Sequence, residues 1–363
     1  MISVVLRSLV DAGRRRFGRD GVLVLAWAGS AAQLVDGVTV SSVLRTTVGD
    51  PSKETILWRI LGNPAARDEL RAVRKIAIDE APTIQGRWMD RLEFMLRKVS
   101  PSPALEVLPF GGRRVLAAGD PLQLPAFGVR GDSVEVCAYQ TRSWYDTFVS
   151  HFFVAVQLST LHRQNPDDLL YPILMRLRVG APTDDDINLL NSTWGHLRAK
   201  NCDVETVNDR RLVELMGVPV TFTCVDTINV EQPDRQASVY AKLRMLARGV
   251  LQVKPGAGVV LTRSVVGVAE FAEFVVKDAL EKMLGKRFQV PLLLAWAMTI
   301  TRAQGMTWPA VAIDFGCTTW SPEGMVYSGC SRSVSFSTLR VLGLTRDHVR
   351  AIPHGLQYYQ GLE

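Results

Sequence analysis

Lys75-Ile-Ala-Ile-Asp-Glu-Ala81 is the stretch on which the fold turns. A short apolar run ends in two adjacent carboxylates, Asp79 and Glu80, as a buried parallel strand does when it delivers acidic groups at its C-terminal edge. A second run of this kind, Val115-Leu-Ala-Ala, leads into Gly119-Asp-Pro-Leu-Gln-Leu-Pro125. With one carboxylate placed to hold magnesium, the next to orient water, and a second strand end beside them, the pair reads as the metal half of a nucleotide-hydrolysis site. The phosphate-cradling pattern G-x-x-x-x-G-K-[S/T] does not occur in the 363 residues.

Working outward, short apolar strands alternate with amphipathic helices through the first 150 residues, the pattern of β-α-β units around a parallel sheet. Ile2, Val5, Leu6 and Leu9 fall on one helical face and Arg14-Arg15-Arg16 follows, which permits an organelle presequence. An integral helix is preferred, because basic residues at a helix end, then Gly18 and the run Val22-Leu-Val-Leu-Ala26, describe a helix feeding a buried strand. Trp88, Leu92, Met95 and Val99 recur at helical spacing and read as a core-facing helix, stopped by Ser100-Pro-Ser-Pro103. Helical patterning returns over Asp167–Gly180 and Asp184–Leu197. Apolar runs at 256–261, 291–296, 311–314 and 338–342 suggest a second buried sheet, and the domain junction is placed around 150–157.

A hydrophobic fraction of 47% and a charged fraction of 21% describe a folded globular chain, and no apolar run reaches bilayer length. The net charge of +6 favours a polyanionic partner such as nucleic acid, though charge alone does not identify one. Cys137, Cys202, Cys224, Cys317 and Cys330 form no C-x-x-C pair and have no histidine cluster near them, so they read as reduced thiols and not as a disulfide framework or zinc site.

Taken in order, further segments resemble the superfamily-one DNA helicases of the Pif-one type. Ala28-Gly-Ser-Ala-Ala32 with Gly37-Val-Thr-Val-Ser-Ser42 is similar to motif Ia, Ile78-Asp-Glu-Ala81 to motif II and Gly119–Pro125 to motif III. Gln157-Leu-Ser-Thr-Leu-His-Arg-Gln164 is similar to motif IV. The segment 291–307, with Thr299-Ile-Thr-Arg-Ala-Gln-Gly-Met-Thr307, is similar to motif V and is the most specific match. Tyr327-Ser-Gly-Cys-Ser-Arg-Ser333 with Leu339-Arg-Val-Leu342 resembles motif VI. Any one of these alone is weak, since an isolated Ile-Asp-Glu is often a loop-facing acidic pair; their shared order carries the resemblance.

The resemblance implies an α/β chain of two RecA-like P-loop NTPase lobes with parallel sheets. The first lobe would span 1–156, N-terminally truncated; the second would span 157–363, with a reduced β-barrel insert. It implies an ATP-dependent DNA helicase unwinding 5′ to 3′, with ATP as substrate, Mg2+ as cofactor, and roles in DNA repair, recombination and telomere maintenance. In that reading Asp79 holds magnesium, Glu80 polarises water and Gln123 senses the γ-phosphate. Arg163 and Arg332 reach the transferring phosphoryl group from the second lobe; Asp120, Gln304 and Gly305 contact nucleotide or couple the site to DNA. Ser41, Ser42, Thr299, Arg302 and Thr307 touch single-stranded or forked DNA, whereas Trp27, Trp88 and Trp296 read as core.

The protein is expected to act as an intracellular monomer, in nucleus or mitochondrion, without a membrane partner. Three features depart from the family pattern: the missing phosphate loop, Ala28 in place of a hydroxyl residue, and Thr301-Arg-Ala303 where His-Lys-Ser is common. They keep open a non-catalytic single-stranded nucleic-acid-binding relative and, more remotely, an α/β scaffold for protein partners. The stretch Phe271–Leu284, where relatives insert a small barrel, reads as short and partly helical.

Overall fold

The structure is a computed structural model that describes residues 2–46, 51–126, 136–141, 154–158, 162–193, 204–262, 272–277, 283–316 and 321–361. Cys202, Cys317 and the centre of the expected motif IV, 159–161, lie outside the described residues. The chain forms two compact units, the first from Met1–Val40, Arg59–Cys202 and Thr299–Glu363, the second from Ser41–Trp58 and Asp203–Met298. The expected junction near 156 lies inside the first unit.

Four parallel strands organise the first unit: β1 (Val22–Ala26), β2 (Val38–Thr39), β3 (Lys75–Ile78) and β4 (Arg114–Ala117), in the order β2-β1-β3-β4. Strand β3 therefore runs between β1 and β4, with Ile76, Ala77 and Ile78 fully buried. Central strands of a parallel sheet are covered on both faces, which explains the continuous apolar run that precedes Asp79.

The helix Ile2–Phe17 packs on this sheet as an integral element, and of its expected face Leu6 turns inward whereas Val5 and Leu9 do not. Leu6 and Val10 are each 2% exposed, against Val22, Val24 and Ala77, whereas Val5 and Leu9 are 39% and 40% exposed. The buried stripe steps from Leu6 to Val10 and Gly13, and Gly13 lets Lys75 approach closely enough that a Cβ there would sit 3.0 Å from its side chain. Burying the two side chains stabilises the helix by about 1.5–3 kcal/mol each. The helix Gly86–Lys98 keeps the expected inward face, with Trp88, Leu92 and Met95 buried and Val99 at its end.

In the rest of the first unit, strands Val311–Asp314 and Leu339–Leu342 pair in parallel. Leu170, Leu174 and Leu177 of the helix Leu170–Arg178 share a core with Ile313, Phe315 and Val341. The helix Asp184–Ser192 begins at Thr183, whose hydroxyl accepts from the Asp186 amide while the Asp186 carboxylate accepts from the Thr183 amide. This reciprocal capping satisfies two donors that the first turn leaves open.

In the second unit, Val225–Ile228, Met283–Gln289 and Ala272–Lys277 form a three-stranded antiparallel sheet, with Met283–Gln289 central. The helix Pro233–Leu246 covers it through Val239 and Leu243 on Val276. Of the stretch 271–284 expected to be partly helical, the described residues 272–277 and 283–284 are strand, which corrects that expectation for them. Phe274 and Val276 alternate inward with period two, and β-branched residues favour the pleated backbone. The single second sheet expected over 256–342 is also corrected: Val259–Leu261 pairs antiparallel with Leu292–Leu294 in the second unit, and the parallel pair 311–314 and 339–342 belongs to the first.

Candidate active site

Strand β3 carries Asp79 and Glu80 to the C-terminal edge of the sheet, where the Asp79 amide still donates to the Leu25 carbonyl of β1. The chain then turns sharply. Glu80 adopts a left-handed backbone, φ 49° and ψ 41°, a conformation that costs a non-glycine residue about 1 kcal/mol or more. Neighbouring bonds enforce it. The Ala81 amide donates to the Ala118 carbonyl at 2.9 Å, and the Thr83 amide and hydroxyl donate to the Glu80 carbonyl at 2.9 and 2.7 Å. Opposite this turn, Gly119 follows β4 with no room for a side chain: a Cβ there would lie 2.3 Å from Pro82 Cδ. The two acidic strand ends are therefore brought side by side by close backbone packing, as their sequence positions suggest.

Both carboxyls of motif II sit in an environment that resists their ionisation. Burial pushes the Asp79 carboxyl up, against the opposing pull of the Glu80 amide and Arg7. Glu80 is pushed up to about 7, by burial first and then by the Asp79 carboxylate, with Arg332 and Arg163 pulling the other way. Two desolvated acids with too little compensating charge suit a cation, and magnesium needs only one or two carboxylates when phosphate oxygens and water complete its shell. Among the described residues no cluster of three or more His, Cys, Asp or Glu is placed to hold a metal.

Arg332 occupies the other side of the site, 2% exposed. Its Nε donates to Ser328 O at 2.8 Å, Nη1 to Met306 O at 3.3 Å, and Nη2 to Ser331 Oγ at 2.8 Å and to Gln123 Oε1 at 3.0 Å. Burial, and then Arg163 beside it, pull Arg332 down to about 10, still far above neutral pH. Arg163 donates to Ser331 O at 3.1 Å, and burial lowers it while Glu80 raises it. Gln164 fastens the same corner through Ser331 O and Ser333 O at 3.2 and 2.7 Å. Ser328 Oγ accepts from the Leu124 amide at 2.7 Å, tying the loop 119–125 to the helix Met325–Cys330.

Motif V reaches the same place. Gly305 has φ +78°, and a Cβ built on it would stand 3.8 Å from Glu80 Oε1, so the chain passes beside the carboxylate. Gln304 is 6% exposed, and its Nε2 has no hydrogen-bond partner among the described residues.

Asp120 differs in character from its neighbours. Its Oδ1 accepts from Leu122 N at 3.1 Å, Arg178 Nη2 at 2.9 Å and Tyr359 OH at 3.1 Å; its Oδ2 accepts from Tyr327 OH at 3.2 Å and Gln123 Nε2 at 3.4 Å. Sequence reading named neither Arg178, Tyr327 nor Tyr359 as a site residue. Tyr327 opens the segment that resembles motif VI, which is its one sequence signal; nothing local marks the other two.

The residues expected at DNA divide between the units. Thr299, Arg302 and Thr307 belong to the first unit and are exposed; Ser41, half-buried, and Ser42, exposed, belong to the second. Thr299 Oγ1 accepts from the Arg302 amide at 3.4 Å, closing the turn that precedes Gln304. Trp88 is buried with its ring 6.1 Å from that of Trp27, while Trp27 and Trp296 are partly buried.

A parallel sheet with acidic strand ends, faced by buried arginines and a glutamine, defines a RecA-like α/β fold. The family model described as PIF1-like helicase matches residues 3–169. ATP-dependent DNA helicase PIF1 of Xenopus laevis is 28% identical over 93% of this chain and 57% of its own length. The Homo sapiens protein of that name is 29% identical over 94% and 57%. The Pif1 helicase of Candida albicans superposes with a TM-score of 0.80 at 24% identity, covering 99% of this chain and 93% of that one. The Bacteroides Pif1 helicase in complex with ADP-AlF3 and single-stranded DNA superposes at 0.75 with 19% identity, over 99% and 90%. The chain is similar to the PIF1-like helicases over these spans, and it covers a little over half the length of the curated relatives it matches.

Proposed function

We propose that this chain is the motor portion of an ATP-dependent DNA helicase that couples ATP hydrolysis to 5′-to-3′ movement on DNA. The observation that supports it best is the meeting of Gln123 Oε1 with Arg332 Nη2 at 3.0 Å, beside a Glu80 whose ionisation burial resists and Arg332 and Arg163 favour. In this reading the segments 1–156 and 157–363 are the two lobes. Asp79 would hold magnesium, which supplies charge to offset the phosphate oxygens. Glu80 would accept the proton of the attacking water, and Gln123 would face the γ-phosphate. Arg332 and Arg163 would stabilise the charge spread over the transferring group, for which a planar guanidinium is suited.

Arg332 already spends most of its donors on Ser328, Met306, Ser331 and Gln123. The Gln123 contact joins two groups that both face nucleotide in this reading, so a bound γ-phosphate would take the place of each for the other. Gly305 and Gln304 would carry the change in Glu80's surroundings to the exposed Thr299, Arg302 and Thr307, and Ser41 and Ser42 would add phosphate contacts on single-stranded or forked DNA. We propose further that the protein works as an intracellular monomer in DNA repair, recombination or telomere maintenance, in nucleus or mitochondrion.

The phosphate loop is not among these 363 residues, so turnover is the decisive measurement. ATPase activity of the full chain should rise on addition of single-stranded DNA, and Glu80→Gln should lower it by about 10²-fold or more while leaving DNA binding in place. Binding of single-stranded DNA with no DNA-stimulated hydrolysis in the unaltered chain would replace the motor by a non-catalytic nucleic-acid-binding relative.

A further inference from the structure

We infer that Asp120 serves this site as an internal anchor that aims Gln123 at Arg332, and that Tyr359, in the last helix, is a positioning residue acting through it. The inference rests on the reading of Gln123 and Arg332 as nucleotide-facing groups.

Five donors converge on the Asp120 carboxylate, from its own turn, from the helix Leu170–Arg178, from the helix Met325–Cys330 and from the helix Pro353–Gln360. A carboxylate has room for about four lone-pair directions, so little acceptor capacity is left for a metal-bound water or a nucleotide hydroxyl. The side chain is 8% exposed as a residue, and its charge is met by Arg178 at 2.9 Å. Arg178 is in turn held over the rings of Tyr327 and Tyr359, with 6.0 and 4.7 Å from guanidinium carbon to centroid. Burial pulls the Arg178 pKa down, and Asp120 leads the contributions that raise it, with a net shift upward.

The consequence for Gln123 follows from donor and acceptor chemistry. Its amide lies between Asp120, which can only accept, and Arg332, which can only donate. One orientation satisfies both: nitrogen toward Asp120, oxygen toward Arg332. Rotated by half a turn, the amide would face a guanidinium with N–H groups and a carboxylate with oxygen, losing both bonds. The Leu122 amide on Asp120 Oδ1 and the Gln123 amide on the Asp120 carbonyl at 3.0 Å fix the backbone of the same turn, so anchor and sensor move as one piece. Tyr359 reaches this carboxylate because its helix lies directly on the turn: Gly355 is so close that a Cβ there would fall 2.4 Å from Pro121 O.

The test reads Arg332 directly and needs no turnover. In full-length protein labelled with 15N-arginine, the Arg332 side-chain resonance is identified by its loss in Arg332→Lys. Asp120→Asn and Tyr359→Phe should each displace that resonance, the first more, while the exposed Arg340 stays in place. Tyr359→Phe keeps the ring over Arg178 and removes one hydroxyl, so it should fold, with a Tm lower by about 2–4 °C. If Asp120→Asn fails to fold because it strands the Arg178 charge, Tyr359→Phe decides alone. A lowered Tm with an unmoved Arg332 resonance would show a purely structural helix contact and overturn the inference. An absence of ATPase activity with a displaced resonance would overturn the motor reading and leave the anchor standing.

Discussion

Asp79 and Glu80 were legible because chemistry and position coincide: the residues that close a buried strand are the ones that face the site. The left-handed turn at Glu80 was not legible, since it is imposed by Ala118, Thr83 and the bare Gly119 and not by any preference of glutamate. A second carboxylate permits a sharper forecast. Asp186 binds Arg176 through two bonds of 2.6 Å and caps its own helix; the Arg176 bonds lead in holding its carboxyl down to about 2. A depressed acid contributes stability that is present above its unfolded pKa and lost as pH falls through the folded one, here from about 4 to about 2. Arg176 is solvent-facing, so the contribution is discounted to about 1–2 kcal/mol. Urea titrations at pH 6 and at pH 2.5 should show Asp186→Asn less stable by this amount at the higher pH and by clearly less at the lower; an equal gap at both pH values would exclude the ion pair as its source.

At the scale of elements, the helices were legible where their period was strong, as in Gly86–Lys98, and misplaced by a step where it was weak. In Ile2–Phe17 both stripes are apolar, and only the sheet beneath decides that Leu6 and Val10 go inward. The strand Ala272–Lys277 was misread because its order comes from pairing with Met283–Gln289, which in turn pairs with residues some sixty positions earlier, at 225–228. The closing helix Pro353–Gln360 offers a test of close packing. Gly355→Ala pushes a methyl into Pro121 O, which is backbone and cannot rotate away. An overpacked core position of this kind costs about 1–3 kcal/mol. Thermal unfolding should show the loss, and a Gly355→Ala chain as stable as the parent would mean that the helix shifts freely on the 119–125 turn.

At the scale of the molecule, composition alone leaves nucleic acid undecided, and the proposal of a DNA partner rests on the order of short segments. Arg302 allows that reading to be tested electrostatically. If it meets a phosphate of single-stranded DNA, each such contact contributes about 0.7 to the slope of log affinity against log salt. Arg302→Ala should therefore weaken binding across sequences and flatten the salt slope by about that amount; an unchanged slope would remove Arg302 from the DNA path. The division into two units was not legible, because the first is gathered from three separated stretches of chain and the second from two.

That interleaving bears on how the protein comes into being. The Tyr359 hydroxyl meets Asp120 across a separation of 239 residues. Chains whose decisive contacts are so distant fold slowly, and during synthesis the early stretch is exposed long before its partner emerges. On the ribosome, the strand carrying Asp79 and Glu80 can pair with its neighbours early, while the fifth donor on Asp120 must wait until Tyr359 has been added. A nascent chain arrested before residue 353 should therefore hold the sheet and lack the Tyr359 hydroxyl on Asp120.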